Sequence, residues 1–195
     1  MAKKYLVCIG ASTGGPRALQ HLLPQFPKDF SSPILIVQHM PPVFTRQLAD
    51  RLNAMSSIQV KEAEHHERVK SGTAYIAPGG RHMTVKRLGK TQLKIHLDDS
   101  HPIKGHRPSI DRLFDSLKAF NEYRMITAIL TGMGSDGTKG LKALRQSHKD
   151  KLYSLAESEK SCIVFGMPKA AIQANVVDEV VELEDMIDAI MKHVT

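Results

Sequence analysis

The 195-residue sequence has no tryptophan, two cysteines and an aromatic content of 5 %. So few aromatics leave no visible stacking platform for single-stranded nucleic acid. Two cysteines cannot make a disulfide framework. Cys8 and Cys162 lie in apolar strand-like or helix-like surroundings and share no metal spacing, so they read as buried thiols in a reducing cytosol. No apolar run is long enough to cross a bilayer. The start, Met1-Ala-Lys-Lys-Tyr-Leu-Val-Cys-Ile-Gly, has too short an apolar stretch for a signal peptide and runs into a glycine-rich loop rather than a cleavage site. Internal repeats, low-complexity tracts and linkers are also missing, so residues 1–195 are expected to form one domain with a sizeable core.

What is present is ordinary globular composition, 42 % apolar and 24 % charged, with a formal net charge of +7. The excess Lys and Arg are scattered rather than gathered into one tract, which argues for no nucleic-acid partner. A basic surface also suits an acidic protein partner, whose encounter rate it would raise. Charge alone does not choose between the two.

Apolar runs alternate with amphipathic stretches throughout. Strands are expected at Tyr5 to Ile9, Ile34 to Gln38, Gln59 to Ala63, Thr73 to Ala77, Met125 to Leu130, Lys151 to Leu155 and Glu179 to Val181. Helices are expected at Pro16 to Phe26, Val43 to Met55, from Ser109 as N-cap to Phe120, Thr138 to Gln146, after Pro168 and from Glu184. His82 to Lys86 and Gln92 to Leu97, joined through Leu88-Gly89-Lys90, read as a hairpin. The alternation implies an α/β fold: a doubly wound, mostly parallel sheet with helices on both faces and an antiparallel hairpin insertion. Such sheets bind ligands outside the carboxyl ends of their strands, so chemistry is expected in the loops that follow strands.

Three of these loops are unusual. Gly10-Ala11-Ser12-Thr13-Gly14-Gly15-Pro16 fits G-x-S-x-G, which exposes a serine on a sharp strand-to-helix turn. The following helix offers free N–H groups to a developing oxyanion. The same loop also resembles a dinucleotide phosphate turn. Against that reading, Pro16 stands where a glycine is needed, Gln38-His39-Met40 offers no acidic residue for a ribose, and no Tyr is followed four residues later by Lys. On this loop alone nucleophile, phosphate cradle and structural turn all stay open. Gln38-His39-Met40-Pro41-Pro42 ends the second strand, which brings His39 within side-chain reach of Ser12. Thr131-Gly132-Met133-Gly134-Ser135-Asp136-Gly137 places Asp136 at the same edge, where it serves either as a helix cap or as the acceptor for an imidazole N–H. Their chain order differs from the familiar triads, but triads are defined by geometry and roles.

Of the ten histidines, only His39 is placed beside a serine loop. His65 and His66 are adjacent, and are expected to face opposite ways on a strand or to diverge on a helix, which makes them a poor metal pair. His101 and His106 fall in a proline-rich connection, and His21, His96, His148 and His193 on solvated faces. No zinc spacing emerges, and neither a metal nor an organic cofactor is expected.

Six collinear segments resemble the catalytic domain of the chemotaxis-receptor methylesterases (CheB, protein-glutamate methylesterase). They are Ile9-Gly-Ala-Ser-Thr-Gly-Gly-Pro16, Val37-Gln-His-Met-Pro41, Tyr75-Ile-Ala-Pro-Gly-Gly-Arg-His82, His106-Arg-Pro-Ser-Ile-Asp111, Leu130-Thr-Gly-Met-Gly-Ser-Asp-Gly137 and Phe165-Gly-Met-Pro-Lys-Ala-Ala171. The resemblance implies that Ser12 is the nucleophile, His39 the base and Asp136 its partner, with an oxyanion hole of backbone N–H groups near Thr13 and Met133. It implies hydrolysis of glutamate methyl esters on chemoreceptor signalling helices, often with glutamine deamidation, by a cytoplasmic protein whose partner is the methylated chemoreceptor cytoplasmic domain. A monomer is the default; a serine esterase for a small-molecule ester is the alternative. Two departures from the family are visible. The reading expects no N-terminal receiver domain, because Met1 lies four residues before the first strand. Glu157 and Ser158 stand where the family commonly has Gln and Asp.

Overall fold

A computed structural model describes residues 4–89 and 92–194. The start at Met1 and the Lys90 end of the hairpin junction lie outside the described residues. Seven strands form one sheet: β1 (Lys4–Ala11), β2 (Ile34–Gln38), β3 (Gln59–Glu62), β4 (Thr73–Ile76), β7 (Tyr123–Ile129), β8 (Leu152–Glu157) and β9 (Glu179–Val181). Their order is β3-β4-β2-β1-β7-β8-β9, and every pairing is parallel. Strands β5 (His82–Leu88) and β6 (Gln92–Asp98) form a separate antiparallel pair.

Both faces of the parallel sheet are covered, and the period of two in the strands decides which residue goes where. Val7, Ile9 and Ala11 of β1 and Ile126 and Ala128 of β7 join a core with α1 (Gly15–Leu22), α2 (Phe44–Met55) and α6 (Met186–Lys192). Leu6 and Cys8, with Met125 and Ile129, point the other way into a core with α3 (Ile110–Leu117), α4 (Thr138–Ser147), α5 (Met167–Gln173) and the hairpin's Met83, Val85, Leu93, Ile95 and Leu97. The fold is therefore the doubly wound, mostly parallel α/β sheet expected, with its hairpin insertion.

Element ends differ from expectation where a local cause intervenes. The first helix stops at Leu22, and Leu23–Gln25 continue as a single 3-10 turn that carries Pro24, which has no N–H to give to an α-helix. Ser109 caps α3 as expected, its Oγ accepting from Arg112 N, but the α-helix ends at Leu117. β8 runs two residues beyond the expected Leu155, to Glu157. The terminal helix enters through a 3-10 turn, Leu183–Asp185.

The chain leaves β1 toward β2 on one side, and β7 lies on the other. That reversal of direction is the topological switch point, where such sheets open a crevice at the carboxyl edge. The loops after β1, β2 and β7 all emerge there.

Candidate active site

The loop after β1 is fixed by its neighbours' backbones. Ser12 N donates to Thr131 O at 3.0 Å, and Gly15 N returns to Ser12 O at 2.8 Å. Gly14 caps α1 with φ +87°, a left-handed conformation that glycine adopts without penalty. A Cβ on Gly15 would lie 1.9 Å from Gln38 Oε1, so this glycine leaves the room in which the Gln38 amide packs. From there Gln38 Nε2 donates to Ser12 O at 2.9 Å and to His39 O at 3.1 Å. One buried side chain thus fastens the serine loop to the histidine loop.

His39 N donates to Ala11 O at 3.0 Å, extending the β1–β2 ladder to the residue beside Ser12. Its ring is oriented by two partners. Nε2 lies 2.7 Å from Asp136 Oδ2, and His106 stacks on the ring face at 3.9 Å between centroids and 5° between planes. Nδ1 is buried without a hydrogen-bond partner. Gly79 supports the loop from behind: a Cβ there would fall 2.4 Å from the Pro41 carbonyl carbon, and Gly79 N donates to Thr45 Oγ1 at 3.0 Å.

Asp136 is almost wholly buried. Its Oδ1 accepts from Ser109 Oγ (2.9 Å), Asp111 N (3.0 Å) and Gly137 N (3.1 Å), and its Oδ2 from Ile110 N (2.7 Å) and His39. Burial opposes its ionisation, but the His39 hydrogen bond and the two amides at the start of α3 outweigh it and hold the carboxyl at about 2. The charge is therefore permanent at neutral pH, and it faces the imidazole.

The loop after β7 completes the edge. Gly132 packs against Ser12 so closely that a Cβ would lie 2.7 Å from the serine Cβ. Gly132 O accepts from Gly166 N (3.0 Å) and Met167 N (2.8 Å), which joins the Phe165–Ala171 segment to this loop. The N–H groups of Thr13 and Met133 donate to no other described residue, and both residues are exposed. Shallow clefts of about 300 and 330 Å³ flank the serine, lined by His39, Met40 and His106 on one side and by Gly14, Arg17 and Ile163 on the other. A larger cavity, about 680 Å³, lies at the opposite end of the sheet beside Tyr5, Pro33 and Tyr123.

All five residues singled out from the sequence thus meet at one sheet edge. Gln38, Ser109 and Asp111 were not singled out as site residues, although each stands in one of the six segments. Glu157 is buried; its Oε2 accepts from Thr131 N at 2.8 Å and its Oε1 from Ser161 Oγ at 3.1 Å. Burial, opposed by these donors, raises its carboxyl above the usual range.

Three side-chain expectations are corrected. Cys162 is half-buried in the loop after β8 rather than in a strand or helix, and burial with the nearby Glu157 charge pushes its thiol up to about 12. His148 is buried, because it follows the last turn of α4 and folds its Nδ1 against Ser147 Oγ at 2.9 Å. His65 and His66 do not diverge: a left-handed φ of +68° at His66 lays their rings 3.7 Å apart.

A family model described as CheB methylesterase matches residues 7–190. The chain belongs to the CheB methylesterase family. It is 55 % identical over 196 residues to a protein-glutamate methylesterase/protein-glutamine glutaminase of Oceanobacillus iheyensis, covering 99 % of this chain and 55 % of that one. It is 48 % identical to the Bacillus subtilis protein of the same name, covering 94 % of this chain and 50 % of that one. The chain therefore spans about half the length of the curated CheB relatives it matches. The crystal structure of the Thermotoga maritima CheB methylesterase catalytic domain superposes with a TM-score of 0.91 at 40 % identity, covering 98 % of this chain and 99 % of that one. Among the described residues no helix is long and apolar enough to cross a membrane.

Proposed function

We propose that this chain hydrolyses γ-methyl esters of glutamyl side chains on the cytoplasmic domain of a methylated chemoreceptor, with Ser12 as nucleophile, His39 as general base and Asp136 as its partner. The observation that carries the reading is the coupling at His39: Nε2 is held by a buried, ionised Asp136, Nδ1 is left unpartnered, and Gln38 fastens the His39 backbone to that of Ser12. Family membership supplies the ester class.

In this scheme His39 Nδ1 takes the Ser12 Oγ proton as the oxygen attacks the ester carbonyl. The tetrahedral oxyanion is met by the N–H groups of Thr13 and Met133, each worth about 3–4 kcal/mol. Collapse expels methoxide, which leaves as methanol with the proton from His39. Water then attacks the glutamyl-serine ester, His39 again acting as base, and frees a glutamate. Asp136 keeps one tautomer in place and stabilises the imidazolium without taking a proton. If the leaving group is ammonia, the same steps convert glutamine to glutamate, matching the second activity in the relatives' names.

The shallow clefts beside Ser12 fit a side chain presented on a helix better than a small ester, which favours an enclosing pocket. Exposed Met133 and Ile163 offer apolar contact around the reacting group, and Arg17 and Lys160 line the cleft on the Ile163 side. The test is methanol release from receptor membranes carrying radiolabelled methyl esters, wild type against Ser12→Ala. Release by wild type alone supports the scheme. Release at equal rates by both removes Ser12 as nucleophile. No release by either, with turnover of small methyl esters, transfers the activity to a small-molecule substrate.

A further inference from the structure

The segment after β3 runs back along the outer edge of β6. His66 N donates to Ile95 O, Ile95 N to Glu67 O and Val69 N to Leu93 O, all at 2.9 Å. Within this strap His66 adopts φ +68°, which is uncommon for a residue with a Cβ. The turn undoes the usual divergence of neighbouring side chains and brings the His65 and His66 rings 3.7 Å apart, tilted by 33°. In β6 the odd positions Leu93, Ile95 and Leu97 go into the core, which sends His96 to the other face. There its ring lies 5.0 Å from that of His65 and 6.2 Å from that of His66. One ring nitrogen from each of the three residues lies within 4.8 Å of the others.

We propose that His65, His66 and His96 form a surface site for one borderline transition-metal dication of the Zn²⁺, Ni²⁺ or Cu²⁺ class. Three neutral imidazoles without a carboxylate suit such ions and offer nothing to Mg²⁺ or Ca²⁺. His96 Nδ1 is buried and without a hydrogen-bond partner, so a cation bound through that nitrogen would satisfy an atom that the protein leaves unpaired. A tetrahedral zinc with bonds of about 2.0–2.1 Å sets its nitrogens roughly 3.3 Å apart, so the group must close by about 1.5 Å. His65 and His66 are exposed and can rotate to do so.

Two features limit the affinity. His65 Nδ1 accepts the Leu97 N–H at 2.9 Å, and ligation through Nε2 requires the ring to release that bond. Arg81, Lys86 and Lys94 add positive charge nearby. The site is therefore open and exchangeable, with solvent in the remaining coordination positions, unlike a closed structural zinc. The stacked His39–His106 pair is a competing imidazole site that the test must separate.

The experiment is calorimetric titration of the whole chain with Zn²⁺ and with Ni²⁺, with Mg²⁺ as control. Wild type is expected to show one saturable site that His66→Ala/His96→Ala loses and His106→Ala keeps. Thermal midpoints without metal establish that each variant is folded. Should the double variant be unstable, His96→Gln alone, which keeps volume and polarity, is expected to weaken binding in the same way. Absence of saturable Zn²⁺ or Ni²⁺ binding by wild type, or binding that survives both substitutions, overturns the proposal.

Discussion

Asp136 and Asp111 serve each other's helices. Asp136, one residue before Gly137 and the start of α4, accepts the first amides of α3, Ile110 N and Asp111 N. Asp111, in the first turn of α3, accepts Gly137 N at 2.9 Å and Gly140 N at 2.7 Å at the start of α4. The loop before α4 thus supplies a carboxylate to the first amides of α3, and α3 supplies one to the first amides of α4. A Cβ on Gly140 would lie 2.7 Å from Asp111 O, so this glycine is what allows the approach. The carboxylate facing His39 is consequently held by parts of the fold that carry no reacting group.

Asp136→Asn should lower kcat on methylated receptor by about 10⁴, by analogy with other triads in which the asparagine holds the wrong histidine tautomer. It should also change the acid response. Because the folded carboxyl is held at about 2, below its ordinary value of 3.8, its contribution is present above that ordinary value and is lost as pH falls toward 2. Wild type should therefore lose stability between pH 5 and pH 3 more steeply than Asp136→Asn. Thermal midpoints across that range check it, and parallel curves would mean that the carboxyl titrates normally.

Asp111 has the opposite sign. Burial, first among its causes, raises its carboxyl in spite of the two amides, so its favourable share is present below the ordinary value and declines as pH rises through the raised one. Asp111→Ala should cost about 1–3 kcal/mol by stranding the Gly140 amide, while Gly137 N keeps Asp136 Oδ1 as an acceptor. Asp111→Asn keeps an acceptor for both amides and should be nearer to wild type at neutral pH. Denaturant midpoints order the three proteins, and an alanine variant as stable as wild type would show that water replaces the cap.

The parallel sheet was legible because its strands are short apolar runs separated by turn residues. Ile34–Gln38 has the bounds expected of it, and β1 contains the expected Tyr5–Ile9. The loops that matter were legible as loops after strands. Tertiary pairing was not. Nothing local in Ser109 or Asp111 announces that the first reaches Asp136 in the loop before α4 and the second reaches Gly140 in α4, since the first reads only as a cap and the second as an acidic first-turn residue. Gln38 entered only as the absence of a ribose-binding acid, because the space it fills is defined by Gly15 on another segment. The His65–His66 pair was misread for a different reason: the expected divergence assumes regular dihedrals, and φ at His66 is left-handed.

His106 is expected to act as a positioning residue. Its ring covers the face of His39 at 3.9 Å, and burial, first among the causes, lowers its pKa. Removing the stack in His106→Ala should reduce kcat by up to about tenfold, the worth of one aromatic pair, with KM little changed. His106→Phe preserves the plane and should restore most of the rate. Equal losses in both variants would point instead to the His106 ring nitrogens.

Turnover on receptor should fall as salt rises. On the proposed function, the net charge of +7 would attract a helix that still carries free glutamates, and each demethylation would add a further negative charge. Screening shortens that attraction to about 10 Å at 0.1 M ionic strength. The loss should appear in kcat/KM at low substrate, while small neutral methyl esters remain indifferent. A flat profile on receptor would remove long-range steering from the account.

Glu157→Gln is expected to stabilise the protein at neutral pH. The buried carboxyl is raised, so its cost grows as pH climbs above the ordinary glutamate range. A glutamine keeps an oxygen for Thr131 N and an amide for Ser161 Oγ, the two groups that Glu157 now serves. Thr131 Oγ1 in turn donates to Thr13 O at 2.9 Å, so the substitution should leave the loop beside Ser12 in place and esterase activity near wild type. The midpoint difference between the two proteins should be largest near pH 7.5 and shrink toward pH 4.5. A variant less stable than wild type at pH 7.5 would show that the carboxylate's hydrogen bonds outweigh its burial.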